Sequence, residues 1–262
     1  MTEPILLVER DGAVLRLTLN RPAVGNAIDL ELARTLLQAV IAADEDDTVR
    51  CVLITGSGRL FCAGGDVTTF QNAGAELPAV LKEITAYLHA AIARLTTLAK
   101  PVVVAVNGAA AGAGVGLALV GDIVLGAASA QFALAYTGIG LSPDGATTWL
   151  LPRLVGLRKA QELCLTNKRV RSDEAERMGL LTRVVADDAL EAESIEVARQ
   201  LAAAATIALG ATRRLLRESL SNGIEVQMDL ESRSIAALAR TADGKEGIAA
   251  FIDKRSPEFN GA

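Results

Sequence analysis

The chain has 262 residues, a formal net charge of −5 and 51% hydrophobic residues, yet only 3% of it is aromatic, so its core must be built from Ala, Val, Leu and Ile. That length suits one large domain, or a domain with a helical appendage. The acidic balance argues against nucleic acid or an anionic membrane as a partner, and no uncharged apolar run of about 18 residues or more has the flanks of a spanning helix.

The first segments to read as regular structure are Ile5 to Val8 and Val14 to Leu19, which alternate or run apolar as strands. Leu30 to Ala42 has helical periodicity, and the acidic run Asp44 to Asp47 after it reads as a solvated loop. A strand at Val49 to Thr55, a helix near Leu77 to Leu95, a strand at Val102 to Val106, a helix from Gly114 and a strand at Ile123 to Leu125 follow. After Leu180 to Val185 the pattern is wholly helical, with segments around Ala189 to Ala204, Ala208 to Leu220, Ile224 to Arg240 and Lys245 to Lys254. This predicts an α/β core over residues 1–190 and a helical C-terminal region over 191–262, with no low-complexity linker between them. Met1 to Glu9 lacks the basic start and apolar centre of a signal peptide. Cys51, Cys62 and Cys164 have no metal-ligand spacing and leave an odd thiol under any pairing. Both features predict a cytoplasmic protein without a metal site.

Two glycine-bearing turns carry most of the chemical information: FCAGGD at Phe61 to Asp66, and NGAAAGAGVGLAL at Asn107 to Leu119. Each places small residues where a buried strand ends, so that backbone N–H groups can face a pocket with no side chain in the way. In the second, KPVVVAV reads as the strand and GVGLALVGD as an apolar helix, whose first turn favours negative charge. Two such donors aimed at one point make an oxyanion hole. A dinucleotide loop does not fit, because the third glycine of that fingerprint would fall at Leu117 and no acidic residue sits about 20 residues on in the required place. Close packing of helix on strand explains the same glycines without chemistry, and Cys62 beside them reads as packing.

These turns belong to six ordered blocks, together with LTLNRPAVGNAID at Leu17 to Asp29, GIGLSPDGATTWLLPRLVG from Gly138 to Gly156, EAERMGLLTRVV from Glu174 to Val185 and AFIDKRSPEF at Ala250 to Phe259. In these blocks the chain resembles the crotonase, or enoyl-CoA hydratase/isomerase, superfamily nearly end to end. The resemblance implies a spiral of ββα units with a C-terminal helical trimerisation region, a homotrimer or a hexamer, and an acyl-CoA substrate with no cofactor beyond the coenzyme A it carries. It assigns the oxyanion donors to the backbone N–H groups of Gly65 and Ala113; Ala113 stands where glycine is more usual, but only its N–H is required. By the same resemblance Ala63 and Asp66 flank the substrate, Arg21 and Lys254 are candidate contacts to coenzyme A, and Phe251 lies against the cofactor end of the pocket. Ordinary surface charge is the competing reading for each basic residue.

The reaction depends on acids and bases, and here the chain departs from the water-adding members. Their two glutamates correspond to Gly116 and Tyr136. Eight residues past Tyr136 comes Asp144, where isomerase-type and dehalogenase-type relatives place a catalytic aspartate. The pattern is most similar to the enoyl and ring-epoxide isomerases of aromatic-acid catabolism, with Asp144 as acid and base. Aspartate, ordinarily near pKa ~3.9, is a poor base at neutral pH unless an apolar setting raises it, and Ile139, Leu141 and Pro143 are candidates for that setting. A hydratase, a catalytically weak acyl-CoA binder and a CoA-thioester dehalogenase are the alternatives. Pro-Asp-Gly is also a common turn signal. Tyr136 reads as a donor to substrate or as pocket lining, and His89, the one histidine, as a helix residue packed near a pocket, although the resemblance also offers it as the counterpart of the histidine that acts as a base beside a nucleophilic aspartate in the 4-chlorobenzoyl-CoA dehalogenases, which carry a tryptophan at the place of Tyr136.

Overall fold

The computed structural model describes residues 3–262. It opens with a hairpin: β1 (Leu6–Asp11) lies antiparallel to β2 (Val14–Leu19), with Leu6 opposite Leu19. Helix α1 (Leu30–Glu45) follows, its first turn capped by the Asp29 carboxylate, which accepts from Leu32 N–H at 2.8 Å. It buries Leu32, Ala33, Leu36, Val40 and Ala43, a stripe at helical spacing. At its far end the buried Lys100 ammonium donates to the carbonyls of Ala43, Asp44 and Asp46 at 2.6, 3.0 and 2.8 Å. A cation there complements the helix dipole, so the lysine of KPVVVAV is a structural residue.

Three passes of the chain then build the centre. The first runs through β3 (Cys51–Gly56) and β4 (Leu60–Cys62) into α2 (Val67–Ala73) and α3 (Leu77–Thr97). The second is β5 (Val102–Val106), β6 (Ala109–Ala111) and α4 (Ala113–Ala118), and the third is β7 (Ile123–Ala127), β8 (Gln131–Ala133), α5 (Thr147–Val155) and α6 (Leu157–Thr166). After them come β9 (Val170–Arg171), α7 (Ser172–Arg177), β10 (Arg183–Val185), α8 (Leu190–Ala203), α9 (Thr206–Glu218), α10 (Ile224–Leu238) and α11 (Ala242–Asp253). Each pass adds its first strand to a six-stranded sheet ordered β1-β2-β3-β5-β7-β10 and its second to a four-stranded sheet ordered β4-β6-β8-β9. Pairing is parallel from β2 to β10 in the large sheet and from β4 to β8 in the small one. This is the spiral of ββα units that the resemblance implies.

The long elements fall within a few residues of their predicted bounds. The small sheet was not anticipated, because strands of three residues are too short to display a period. The boundary at residue 190 also needs correcting. Helix α8, assigned to the tail, buries Leu190, Ala198 and Ala202 and packs on β3, β5 and β7, so the tail proper begins after Ala203. Arg213 of α9 ties that tail to the core by donating to the Leu95 carbonyl at 3.0 Å and the Lys100 carbonyl at 2.7 Å, and by pairing with Asp122 at 2.7 Å. Among the described residues no helix is long and apolar enough to cross a membrane.

Candidate active site

Because β4, β6 and β8 are parallel neighbours, the segments leaving their C-terminal ends converge: Ala63–Gly65, Gly112–Ala113 and Leu134–Tyr136. They line one cavity of about 310 Å³ with Ile28, Phe70 and residues of α3, closed on its last side by Ile139, Leu141, Ser142 and Asp144. Three successive turns of the spiral thus each deliver one part of the site.

The two predicted donor residues line this cavity, and their N–H hydrogens are uncommitted. Around Gly65, the Gly64 carbonyl accepts from Ile28 N–H at 2.7 Å and Asp66 N–H donates to Ile28 O at 3.0 Å. Around Ala113, Gly112 N–H donates to Ala133 O and Val115 N–H to Gly112 O, each at 2.9 Å. Among the described residues the N–H groups of Gly65 and Ala113 have no protein acceptor. Space is short at both glycines: a Cβ on Gly65 would lie 2.4 Å from the tip of the Phe70 ring, which would have to shift, and one on Gly64, where φ is 92°, would lie 2.8 Å from Ala111 O and 3.4 Å from Ala113 N. The last distance shows how closely the two donor loops approach. Cys62 packs beneath them, fully buried, with its thiol pushed up to about 12 by desolvation. It is a packing residue, as expected.

The arginine of the LNRPAVGNAID block is held in two ion pairs. Arg21 pairs with Asp29 at 2.9 Å and Asp66 at 3.2 Å, and its side chain is only 18% exposed. Asp66 itself caps α2, accepting from Thr68 and Thr69 N–H. Neither Arg21 nor Asp66 lines the cavity. Together they brace the turn that presents Gly65, and the buried Asn26 completes the brace by donating to the Ser57 and Leu60 carbonyls at 2.9 and 2.8 Å. No local signal in the sequence announces this, since the partners of Arg21 lie 8 and 45 residues away. Phe251 and Lys254 also lie outside the cavity lining; Phe251 is 86% exposed on α11, and Lys254 ends that helix in a left-handed conformation. Ala63 lines the cavity.

Asp144 reaches the cavity on a turn in which Gly145 and Ala146 both have φ of 60°, and the Asp144 carbonyl accepts from Thr147 N–H. The turn signal and the site residue are therefore the same residue. Tyr136 donates to Asp144 Oδ1 at 2.6 Å, so its hydroxyl is committed to the carboxylate rather than free for substrate. Burial, then the charge of Asp144, push the Tyr136 phenol far above its ordinary range, which keeps it a donor at any working pH. His89 lies with Nε2 3.2 Å from Asp144 Oδ2 and accepts from Gly145 N–H at 3.1 Å. Its partner is 55 residues away, which hides the pairing from any reading of local pattern.

Position 116, where water-adding relatives are expected to carry a glutamate, is closed. A Cβ on Gly116 would lie 2.4 Å from the Gly145 carbonyl oxygen and 2.9 Å from Thr147 Oγ1. The turn bearing Asp144 occupies the space that a larger side chain would need.

The sequence pattern of the enoyl-CoA hydratase/isomerase family matches residues 9–262. The chain belongs to the enoyl-CoA hydratase/isomerase family. It is 39% identical over 258 residues to a 1,2-epoxyphenylacetyl-CoA isomerase of Escherichia coli strain K12, covering 98% of each chain. It is 40% identical over 245 residues to a probable enoyl-CoA hydratase of Rhodobacter capsulatus, covering 94% of this chain and 93% of the relative. The structure superposes on that of an enoyl-CoA hydratase from Polaromonas sp. JS666 with a TM-score of 0.93 at 36% identity, covering 97% of this chain and 99% of the other. Relatives named as an isomerase and as a hydratase thus both match this chain over nearly its full length.

Proposed function

We propose that this family member shifts the double bond of an enoyl-CoA thioester, with Asp144 as the group that takes and returns the proton. One observation carries the reading: among the described residues Asp144 is the sole carboxylate lining a cavity that also receives the free N–H groups of Gly65 and Ala113. Those two donors bind the thioester oxygen, which acidifies the carbon beside the carbonyl or its vinylogous γ carbon. Tyr136 holds Oδ1 of Asp144, leaving Oδ2 to accept the proton. The resulting enolate keeps its negative charge on the oxygen between the two amides, and return of the proton at the other end of the conjugated system completes the shift. Losing one oxyanion donor typically costs roughly 10²–10³ in rate, and a positioned base contributes roughly 10²–10⁴. Isomerisation needs one such base, whereas the hydratase pattern uses two carboxylates, and Gly116 and Tyr136 supply neither.

The substrate brings its own coenzyme A, and the chemistry requires no further cofactor. A cavity of about 310 Å³ suits the acyl group and thioester, so most of the coenzyme A lies outside it. Phe251 and Lys254 contact that outer part only where the cofactor leaves the cavity or where a second copy approaches. A homotrimer, or a hexamer built from two, is supported by α10, which buries only Ser234 among its 15 residues while exposing Ile224, Val226, Met228 and Ile235. The free thiols of Cys51, Cys62 and Cys164 fit a reducing cytoplasm.

Incubation with 3-enoyl-CoA and, separately, 2-enoyl-CoA tests the assignment through the absorbance of the 2-enoyl thioester. The proposal expects that absorbance to rise from the 3-enoyl substrate. Its fall from the 2-enoyl substrate alone would make the protein a hydratase, and no change in either would leave an acyl-CoA binder.

A further inference from the structure

Asp144 opens a turn whose two central residues, Gly145 and Ala146, both have φ of 60°, as in a type I′ turn, and which Thr147 N–H closes by donating to Asp144 O at 3.1 Å. L side chains avoid that region, so Ala146 keeps it only where the surroundings fix it. Two contacts do so. The Gly145 carbonyl oxygen lies against α4, where a Cβ on Gly116 would come within 2.4 Å of it, and Gly145 N–H donates to His89 Nε2 on α3 at 3.1 Å. The turn also abuts an oxyanion donor, since a Cβ on Gly145 would lie 3.9 Å from Ala113 Cα. Its placement therefore sets the distance between base and oxyanion hole.

Nε2 of an imidazole holds either one lone pair or one hydrogen, and two partners compete for it here: Gly145 N–H and, at 3.2 Å, Asp144 Oδ2. Gly145 is buried, and among the described residues its N–H has no other acceptor. A hydrogen on Nε2 would leave that amide unpaired, at the full cost of a buried unsatisfied donor. The Asp144 carboxylate has no such need. Its Oδ1 already accepts from Tyr136, and with 27% of the side chain exposed it is not cut off from water. The Nε2 lone pair therefore belongs to Gly145, and the ring hydrogen to Nδ1.

We infer that His89, as a neutral imidazole with its hydrogen on Nδ1, is the positioning residue that holds the Asp144 turn through Gly145 N–H and moves no proton itself. Asp144 as the proton-carrying group is taken from the isomerase reading, on which this rests. A bare Nε2 gives Oδ2 no donor, so that oxygen stays open to the substrate proton while Tyr136 holds the other. His89 grips the backbone of the turn and does not line the cavity. Losing it displaces the base and leaves the walls around the acyl group in place, so kcat suffers and KM does not.

His89 is the one histidine of the chain, so histidine labelled with the heavy nitrogen isotope gives a single imidazole in the NMR spectrum. At mildly alkaline pH, where a free imidazole is neutral, its hydrogen should be found on Nδ1; a hydrogen on Nε2, in the other tautomer or in the imidazolium, overturns the inference. Kinetics supply the second arm, on 3-enoyl-CoA with His89→Gln and His89→Phe. Glutamine sets Oε1 as many bonds from the backbone as Nε2 and accepts without titrating, whereas phenylalanine keeps a ring and accepts nothing. The Phe variant should lose about 10-fold to 10²-fold in kcat, as a base displaced by up to about 1 Å does, with KM near that of the wild type, and the Gln variant should recover most of the loss. Wild-type kcat in the Phe variant, or equal loss in both, overturns the inference. If the wild type does not isomerise 3-enoyl-CoA, the isomerase reading falls by itself. The grip on the turn is then read from Gly145 amide hydrogen exchange, expected to quicken by about 10-fold in the Phe variant and not in the Gln variant; equal exchange in all three proteins overturns it.

Discussion

Replacing Gly116 by alanine places a methyl carbon 2.4 Å from the Gly145 carbonyl oxygen and 2.9 Å from Thr147 Oγ1. Both contacts lie on the turn that carries Asp144, and neither is the far end of a flexible side chain. Ordinary contact begins near 3.4 Å, so turn and helix must separate by about 1 Å, a displacement that can cost on the order of 10²-fold when it moves a catalytic group. Overpacking of this kind destabilises by about 1–3 kcal/mol, which for a chain of this size lowers Tm by roughly 2–12 °C. The expected outcome for Gly116→Ala is a folded protein with a reduced Tm and about 10²-fold lower kcat for the 3-enoyl substrate, read from the 2-enoyl absorbance. Gly116→Glu should do worse on both counts and gain no hydration of 2-enoyl-CoA. A Gly116→Glu protein that isomerises normally, or that hydrates, would refute the claim that the Asp144 turn and a side chain at 116 exclude each other.

Tyr136→Phe removes the 2.6 Å donor to Asp144 Oδ1; a hydrogen bond to a charged group is worth about 1.5–3 kcal/mol, so kcat should fall roughly 10- to 10²-fold, and full turnover would detach the phenol from the mechanism. Arg21→Met leaves Asp29 and Asp66 without their shared cation. Breaking a buried pair costs about 3–5 kcal/mol, or a Tm drop of roughly 6–20 °C, while acyl-CoA binding should keep its salt dependence; an unchanged Tm with weaker salt dependence would make Arg21 a phosphate contact instead. Cys51 and Cys62 are buried thiols raised to about 12 by desolvation, whereas Cys164 is partly exposed. Only the thiolate reacts, so alkylation of the native protein at neutral pH should modify Cys164 and spare the other two until denaturant is added; peptide mapping that finds Cys62 modified in the native state would contradict its burial.

The long elements were legible in the sequence because their apolar spacing repeats over enough residues to show a period, as in Leu30–Glu45 and Leu77–Thr97. Gly65, Ala113 and Asp144 were legible for another reason: each lies in a short block whose residue types resemble a family's. The contacts that organise the site were not legible. Arg21 reads as a coenzyme A contact or a surface cation, with nothing local to point to Asp29 and Asp66 as its partners, and the local pattern around His89 reads as helix packing, with Asp144 beside it suggested only by the resemblance to dehalogenases. Asp66 reaches Arg21 through the bridge between Ile28 and Gly65, and Asp144 reaches His89 from a later turn of the spiral, across the paired β4, β6 and β8. That small sheet is itself nearly invisible in the sequence.

The account stands or falls on Asp144 as proton carrier between the substrate carbons, beside the amides of Gly65 and Ala113. Asparagine at this position keeps the shape and an acceptor for Tyr136 but cannot take a proton. Measured on 3-enoyl-CoA, Asp144→Asn should still bind acyl-CoA and lose about 10²-fold or more of the wild-type isomerisation rate; wild-type turnover by that variant would contradict the mechanism at its centre.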